Sequence, residues 1–198
     1  MTDPTPHADR AERPLAGREV LLCVTGGIAC YKAADLASRL VKAGAGVSVA
    51  MTDAARQFVA PLTFQALTAR AVCTSLWQAV ENYSSQHISL TDRAELMIVA
   101  PATANILAKM AAGIADDLVS TLALSAHGAC DILVAPAMNT RMWLAPPTQA
   151  NLARLKGWGV HVVGPAEGRL ACGTTGPGRM AEPADLLAAA ADLLARAE

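Results

Sequence analysis

Five apolar runs of strand length punctuate the chain, at residues 20–25, 46–51, 95–100, 130–135 and 160–163, and 72–76 offers a shorter sixth. Between them the apolar positions change period. After the first run Ile28, Tyr31, Leu36, Leu40 and Val41 fall at helical spacing, and Gly44 stops that helix. Asp53 is placed to cap a short helix through Phe58. Further helices are predicted over 61–68, 103–110, 116–126 and 148–156, with an amphipathic one over 184–197. Residues 77–92 read as irregular and polar, and 164–179 as a long loop with five glycines. Strands alternating with helices imply a parallel sheet covered on both faces, an α/β fold in a single domain. The polar, Pro-rich residues 1–17 are expected to form a disordered tail ahead of a domain over 18–198.

Composition narrows the class. The 198 residues suffice to bury a sizeable core. With 53% hydrophobic but only 4% aromatic residues, that core is Ala, Val and Leu, which suits helices on a parallel sheet. A net charge of −1 without a basic stripe gives no electrostatic case for nucleic acid. The stretch LMIVAPATANILAKMAAG is broken by Pro101, Asn105 and Lys109, so no membrane partner or span is expected. VLLCVTGGIAC is not read as a signal-peptide core, because Glu19, Gly26-Gly27 and an acidic leader oppose it. The cysteines Cys23, Cys30, Cys73, Cys130 and Cys172 are scattered, odd in number and free of C-x-x-C. That argues against disulfides and zinc and for a reducing, cytoplasmic setting. The histidines show no metal-ligand spacing.

In an open α/β sheet the ligand sits beyond the carboxyl ends of the strands. Small or polar residues follow each run: Gly26-Gly27-Ile28-Ala29, Thr52-Asp53, Pro101-Ala102-Thr103-Ala104-Asn105, Pro136-Ala137-Met138-Asn139, and the glycine loop. TGGIACYK puts bare amides at a strand-to-helix turn, a place for phosphate. Its spacing meets neither the dinucleotide nor the Walker pattern, and a tight turn with close helix packing accounts for it equally well. In PATAN, Thr103 and Asn105 offer a hydroxyl and an amide at a helix start, where ordinary capping is the simpler role. Two such turns on one sheet edge favour a phosphorylated cofactor. APAMNTRMW is odder. An uncharged amide, Asn139, between Met138 and Met142 suits neither a core nor a solvent loop, although the methionines could be core filler. His87, in SQHISL, is either a base working near neutral pH or a satisfied loop histidine. Cys172, in RLACGTTGPGRM, is either part of a glycine lid or an incidental thiol. The other four cysteines are expected to be buried on strands or helices.

Taken together, GGIACYK (26–32), HISL (87–90), PATAN (101–105), GIADDL (113–118), PAMNTRMW (136–143) and ACGTTGPGRMAEP (171–183) resemble the homo-oligomeric flavin-containing cysteine decarboxylases. PAMN-x-x-MW and ACG-x-x-G-x-GRM are the specific motifs; GG-I-A and PATAN alone are weak. The resemblance implies a flavodoxin-like Rossmann fold with non-covalent FMN, and trimers or assemblies of trimers with the active site at a subunit interface. It is nearest to the branch that decarboxylates 4′-phosphopantothenoylcysteine to 4′-phosphopantetheine in coenzyme A biosynthesis. In that chemistry the cysteinyl side chain is oxidised to a thioaldehyde, carbon dioxide leaves to give an enethiol, and the enethiol is reduced again. His87 then matches the histidine of the oxidative decarboxylation half, and Cys172 the cysteine of the reductive half, as a plausible proton donor on a flap. Asn139 matches the asparagine that holds the substrate carboxylate, with Met142 and Ala171 lining the substrate pocket. Gly26, Gly27, Ile28, Ala29, Thr52, Ala102, Thr103 and Asn105 match the FMN-binding positions, and Asp116 is less certain.

The resemblance has limits and rivals. A ligase domain follows this domain in many bacteria; the sequence stops at Glu198, so the expectation is that another protein supplies that activity. Thr103 stands where the family usually has serine, and both keep the hydroxyl. A flavin prenyltransferase of the same superfamily needs neither PAMN-x-x-MW nor the ACG flap. A peptidyl-cysteine decarboxylase stops at the enethiol and does not need Cys172. A non-catalytic flavoprotein subunit regulating a phosphatase carries an acidic tail, whereas the last helix here is mixed in charge.

Overall fold

The computed structural model describes residues 13–77, 86–171, 173 and 175–196. Strand β1 (Glu19–Val24) leads into α1 (Cys30–Lys42), β2 (Gly46–Met51), α2 (Asp53–Arg56), α3 (Pro61–Thr68) and α4 (Gln86–Arg93). Then come β3 (Leu96–Ala102), α5 (Ala104–Ala112), α6 (Leu118–Ala126), β4 (Asp131–Pro136), α7 (Thr140–Leu144), α8 (Pro146–Gly157) and β5 (His161–Val162). A hairpin of β6 (Ala166–Arg169) and β7 (Thr175–Arg179) precedes α9 (Pro183–Arg196). Strands β1 to β5 form one parallel sheet in the order β2-β1-β3-β4-β5. This is the flavodoxin-like order, and it reverses direction between β1 and β3.

Strand alternation divides the core into two layers. Val20, Leu22 and Val24 of β1 face a layer built with α1, α3 and α9, while Leu21 and Cys23 face one built with α5, α6 and α8. In α1, Ala33, Leu36, Ala37 and Leu40 recur at three and four residues, the stripe that a helix needs to lie on a sheet. Leu36 and Leu40 are fully buried, each contributing about 2 kcal/mol by area. Among the described residues, no helix is long and apolar enough to cross a membrane.

Several segments differ from the sequence reading. Residues 13–17 do not behave as a tail: Leu15 is buried in the α1–α9 layer and its N–H donates to Ala43 O at 2.9 Å. One leucine with a core to enter outweighs its Pro-rich, charged context. Residues 86–92, read as irregular, belong to α4; buried Thr91 donates to Ile88 O and lies 3.0 Å from Ser125 Oγ of α6. Residues 72–76 are not a strand, since only Cys73 bridges Ala50. Thr52, not Asp53, caps α2: its Oγ1 accepts from Ala55 N–H at 3.2 Å, and the helix ends at Arg56. Cys130 precedes β4 and is only partly buried. Residues 164–179, read as a loop, contain the hairpin, which pairs Arg169 with Thr175 and Ala166 with Arg179. Its strands AEGR and TGPGR hold one β-branched residue between them, so side-chain pattern could not signal it.

The sheet end away from the strand carboxyl termini is tied by charge. Arg70 grips Glu19 with both terminal nitrogens, at 2.6 and 2.8 Å, and Arg18 pairs with Glu95 at 2.7 Å. The hydrogen bond from Arg70 is the main reason that Glu19 is held below the usual carboxylate range, with the Arg70 and Arg93 charges adding to it. A depressed carboxylate stabilises the fold fully above its unfolded value, about 4.3, and that contribution is lost as the pH falls through the lowered folded value. The melting temperature is therefore expected to drop more steeply below about pH 4 in the wild type than in Glu19→Gln. Parallel curves would remove this carboxylate from the acid response.

Candidate functional site

The carboxyl ends of β1, β3 and β4 open onto one cleft of about 840 Å³, inside the range of roughly 300–1,000 Å³ usual for ligand pockets. Its walls are residues 25–29 after β1, 52–54 after β2, 103–106 after β3, and 137–139 with Met142 after β4. Residues 169–171 and 178–180 of the hairpin close it. The strand ends singled out by the sequence thus meet at the point where the strand order reverses.

A buried hydroxyl joins two of these turns. Thr25 Oγ1 donates to Pro101 O at 2.6 Å and accepts from Thr103 N–H at 3.3 Å. Thr103 Oγ1 in turn accepts from Ile106 N–H at 3.3 Å, so it caps α5 and lines the cleft at once. The two glycines of the first turn have different jobs, one in packing and one toward the cleft. A Cβ on Gly26 would stand 2.4 Å from Ala54 Cβ and 2.7 Å from its backbone carbon, so Gly26 is required for close packing. A Cβ on Gly27 would meet nothing nearer than Thr103 Cγ2 at 3.9 Å, leaving bare backbone toward the cleft. Helix α1 follows Ala29 without a side-chain cap; Cys30 N–H turns back to Gly27 O at 3.0 Å and Lys32 N–H to Ala29 O at 2.9 Å. Gly26→Val is expected to weaken cofactor retention about 10- to 100-fold through the displaced turn. Cofactor absorbance after gel filtration checks this, and wild-type retention by Gly26→Val would contradict it.

Asn139 ends the β4 turn as the cap of α7, its Oδ1 accepting from Arg141 N–H at 2.8 Å. Apolar periodicity did not reveal this helix, which has five residues. The amide oxygen thus anchors the start of α7, and the same side chain lines the cleft. The loop is fixed from behind: Met138 N–H donates to Gly178 O at 2.9 Å, and a Cβ on Gly178 (φ +144°) would lie 2.2 Å from Met138 O. Met138 packs against the second core layer, whereas Met142 is half exposed on the cleft wall.

Ionic pairs hold the rim. Lys32, buried in α1, donates to Met180 O at 2.9 Å and to Glu182 Oε1 at 2.8 Å, and Arg179 reaches the same carboxylate at 3.1 Å. The hydrogen bond from Lys32 holds Glu182 below the usual carboxylate range. Lys109 lies 2.6 Å from both Asp116 and Asp117, which raise it, and it holds Asp116 low. Burial pushes the thiols of Cys23, Cys30, Cys73 and Cys130 up, so they are inert near neutral pH.

Of the residues read from sequence, Gly26, Gly27, Ile28, Ala29, Thr52, Thr103, Asn105, Asn139, Met142 and Ala171 all line the cleft. Ala102 stands behind it: fully buried at the end of β3, it accepts from Ala137 N–H at 3.0 Å and ties two site loops together. His87 lies in the first turn of α4, and none of the side chains of residues 88–93 lines the cleft. Cys172 lies outside the described residues, next to Ala171 on the cleft wall. Ile28 and Tyr31, read from their helical spacing, are 64% and 62% exposed and line the cleft. Sequence reasoning missed Lys32, Lys109, Asp117, Arg169 and Arg179. Only Asp117 carried a usable signal, the D-x-x-S of its capping box with Ser120.

The sequence matches the Flavoprotein family over residues 8–195. It is 48% identical over 174 residues to the coenzyme A biosynthesis bifunctional protein CoaBC of Vibrio vulnificus, covering 88% of this chain and 43% of that protein. The chain therefore spans less than half the length of the curated relatives it matches. Among solved structures, a cysteine-to-serine mutant of PPC decarboxylase complexed with pantothenoylaminoethenethiol superposes with a TM-score of 0.78 at 30% identity, covering 87% of this chain and 96% of that one. The FMN-dependent cysteine decarboxylase SpaF gives 0.78 at 28% identity, covering 92% and 98%. On its sequence, its strand order and the cleft at the turn of that order, this chain belongs to the flavoprotein family.

Proposed function

We propose that this chain is an FMN-dependent carbon–carbon lyase that decarboxylates 4′-phosphopantothenoylcysteine to 4′-phosphopantetheine in coenzyme A biosynthesis, in the cytoplasm. One observation carries the reading: a single cleft gathers Gly27, Thr103, Asn139, Met142 and Ala171 at the switch point of the sheet. The cleft suits FMN on its own chemistry. It combines the uncapped start of α1, the open Gly27 backbone, the Thr52 and Thr103 hydroxyls and the exposed apolar side chain of Ile28. Gly26, Gly27, Ile28, Ala29, Thr52, Thr103 and Asn105 would hold the group, with Ala102 positioning the loop behind them. Bound FMN supplies a reversible two-electron exchange with the cysteinyl carbon–sulfur centre.

The remaining work falls to this chain. Asn139 binds the carboxylate through an amide N–H. A neutral donor releases carbon dioxide readily, whereas a cation would favour the bound carboxylate over the departing gas. Met142 and Ala171 shape the apolar wall against which the carbon–carbon bond breaks, and its electrons pass into the thiocarbonyl to leave an enethiol. His87 takes the proton released in the oxidative half, and Cys172 returns one in the reductive half.

A trimer with shared sites fits the surface. Ile28, Tyr31, Met142 and Leu144 expose large apolar side chains on elements bordering the cleft, and α4 keeps residues 88–93 away from it. Incubating the yellow protein with carboxyl-labelled 4′-phosphopantothenoylcysteine is expected to release labelled carbon dioxide. A folded, yellow protein that releases none would overturn the reading.

A further inference from the structure

We propose that Arg169 selects the substrate by its terminal phosphate monoester. The proposal rests on the substrate reading given above. It starts from the charges around the cleft. Lys109 is matched by Asp116 and Asp117, and Asp53 by Arg56 at 3.1 Å. At the hairpin, by contrast, Lys32, Arg169 and Arg179 line the cleft, and Lys32 and Arg179 share the single carboxylate of Glu182. The Arg169 backbone pairs with Thr175 in the hairpin, but its guanidinium has no acidic or hydrogen-bonding partner among the described residues, Glu167 on the same strand included. The Arg179 side chain lies along Gly168, where a Cβ would stand 2.6 Å from its Nη1, so it borders the residue next to Arg169. The hairpin side of the cleft therefore carries an excess of guanidinium charge beside Ala171.

That excess suits one end of the substrate and not the other. The carboxylate must depart as neutral carbon dioxide, so a cation beside it would hold the ground state; a neutral amide, Asn139, stands at that end. The phosphate takes no part in bond breaking. A guanidinium can bind it, with two parallel N–H donors, equally in ground and transition states. Such binding lowers KM and leaves kcat alone. Arg169 is thus a specificity residue, separate from the groups that act on the cysteinyl end.

The test compares Arg169→Ala and Arg169→Lys with the wild type, on 4′-phosphopantothenoylcysteine and on pantothenoylcysteine, which lacks the phosphate. Arg169→Ala is expected to raise KM about 10- to 100-fold for the phosphorylated substrate, with kcat unchanged and the dephosphorylated substrate unaffected. Arg169→Lys recovers part of the loss, as a point charge without the fork. Equal change on both substrates, or on neither, overturns the proposal. So does loss of FMN but not riboflavin from Arg169→Ala, which would give the guanidinium to the flavin phosphate. If the wild type decarboxylates neither substrate, the functional reading itself falls; if it decarboxylates both without preference, only the Arg169 proposal falls.

Discussion

Replacing Asn139 with alanine is expected to leave the protein yellow and to slow carbon dioxide release roughly 100- to 1,000-fold, the loss seen when one placed donor is removed from a reacting oxyanion. The alanine variant alone is ambiguous, because Asn139 also caps α7 through Arg141 N–H. Losing that cap costs about 1 kcal/mol and loosens the five-residue helix that carries Met142. Asn139→Asp separates the two roles. Its carboxylate still accepts from Arg141 N–H, so α7 keeps its start, but it faces the substrate carboxylate with a like charge and no donor. Asn139→Asp is expected to melt like the wild type and to be as inactive as the alanine variant. An active Asn139→Asp would reduce this residue to a helix cap.

His87→Asn is expected to lower turnover by about 100- to 10,000-fold, the range for a positioned general base, with flavin content unchanged. Asparagine preserves polarity near the ring position but has no basic nitrogen. Helix α4 is held on α6 by Thr91 and Ser125 at 3.0 Å, and a change in its first turn leaves that contact alone. A stable, yellow, inactive protein is thus the expected result. With a site shared between chains, mixed oligomers of His87→Asn and Asn139→Ala regain activity that neither variant has alone. Inactive mixtures would confine each site to one chain, and normal turnover by His87→Asn would remove the base.

The strands were legible because a short apolar run bounded by Gly, Thr or Pro is too brief for a core helix and too apolar for a loop. The strand ends in turn located the cleft, since parallel topology brings every carboxyl terminus to one edge. What stayed hidden has physical causes. Ile28 and Tyr31 obey helical spacing, but periodicity cannot distinguish a core from the apolar wall of a cleft. The β6–β7 hairpin is defined by main-chain pairing through Gly168 and Gly176, which leave no alternating pattern. Helix α7 is too short for a period and announces itself only through Asn139, whose amide serves both backbone and cleft. Leu15 joins the core from a segment whose composition reads as tail. Arg169 could not be found from sequence, because only the geometry shows that the other cations lining the cleft have partners.

The most direct measurement is the mass of the product formed from 4′-phosphopantothenoylcysteine. Loss of carbon dioxide with no other change, giving saturated 4′-phosphopantetheine, is the predicted result and requires both half-reactions. A product lighter by two further hydrogens would mean that the reaction stops at the enethiol, with Cys172 silent. An unchanged substrate recovered from yellow, folded protein would contradict the assignment of this cleft to decarboxylation.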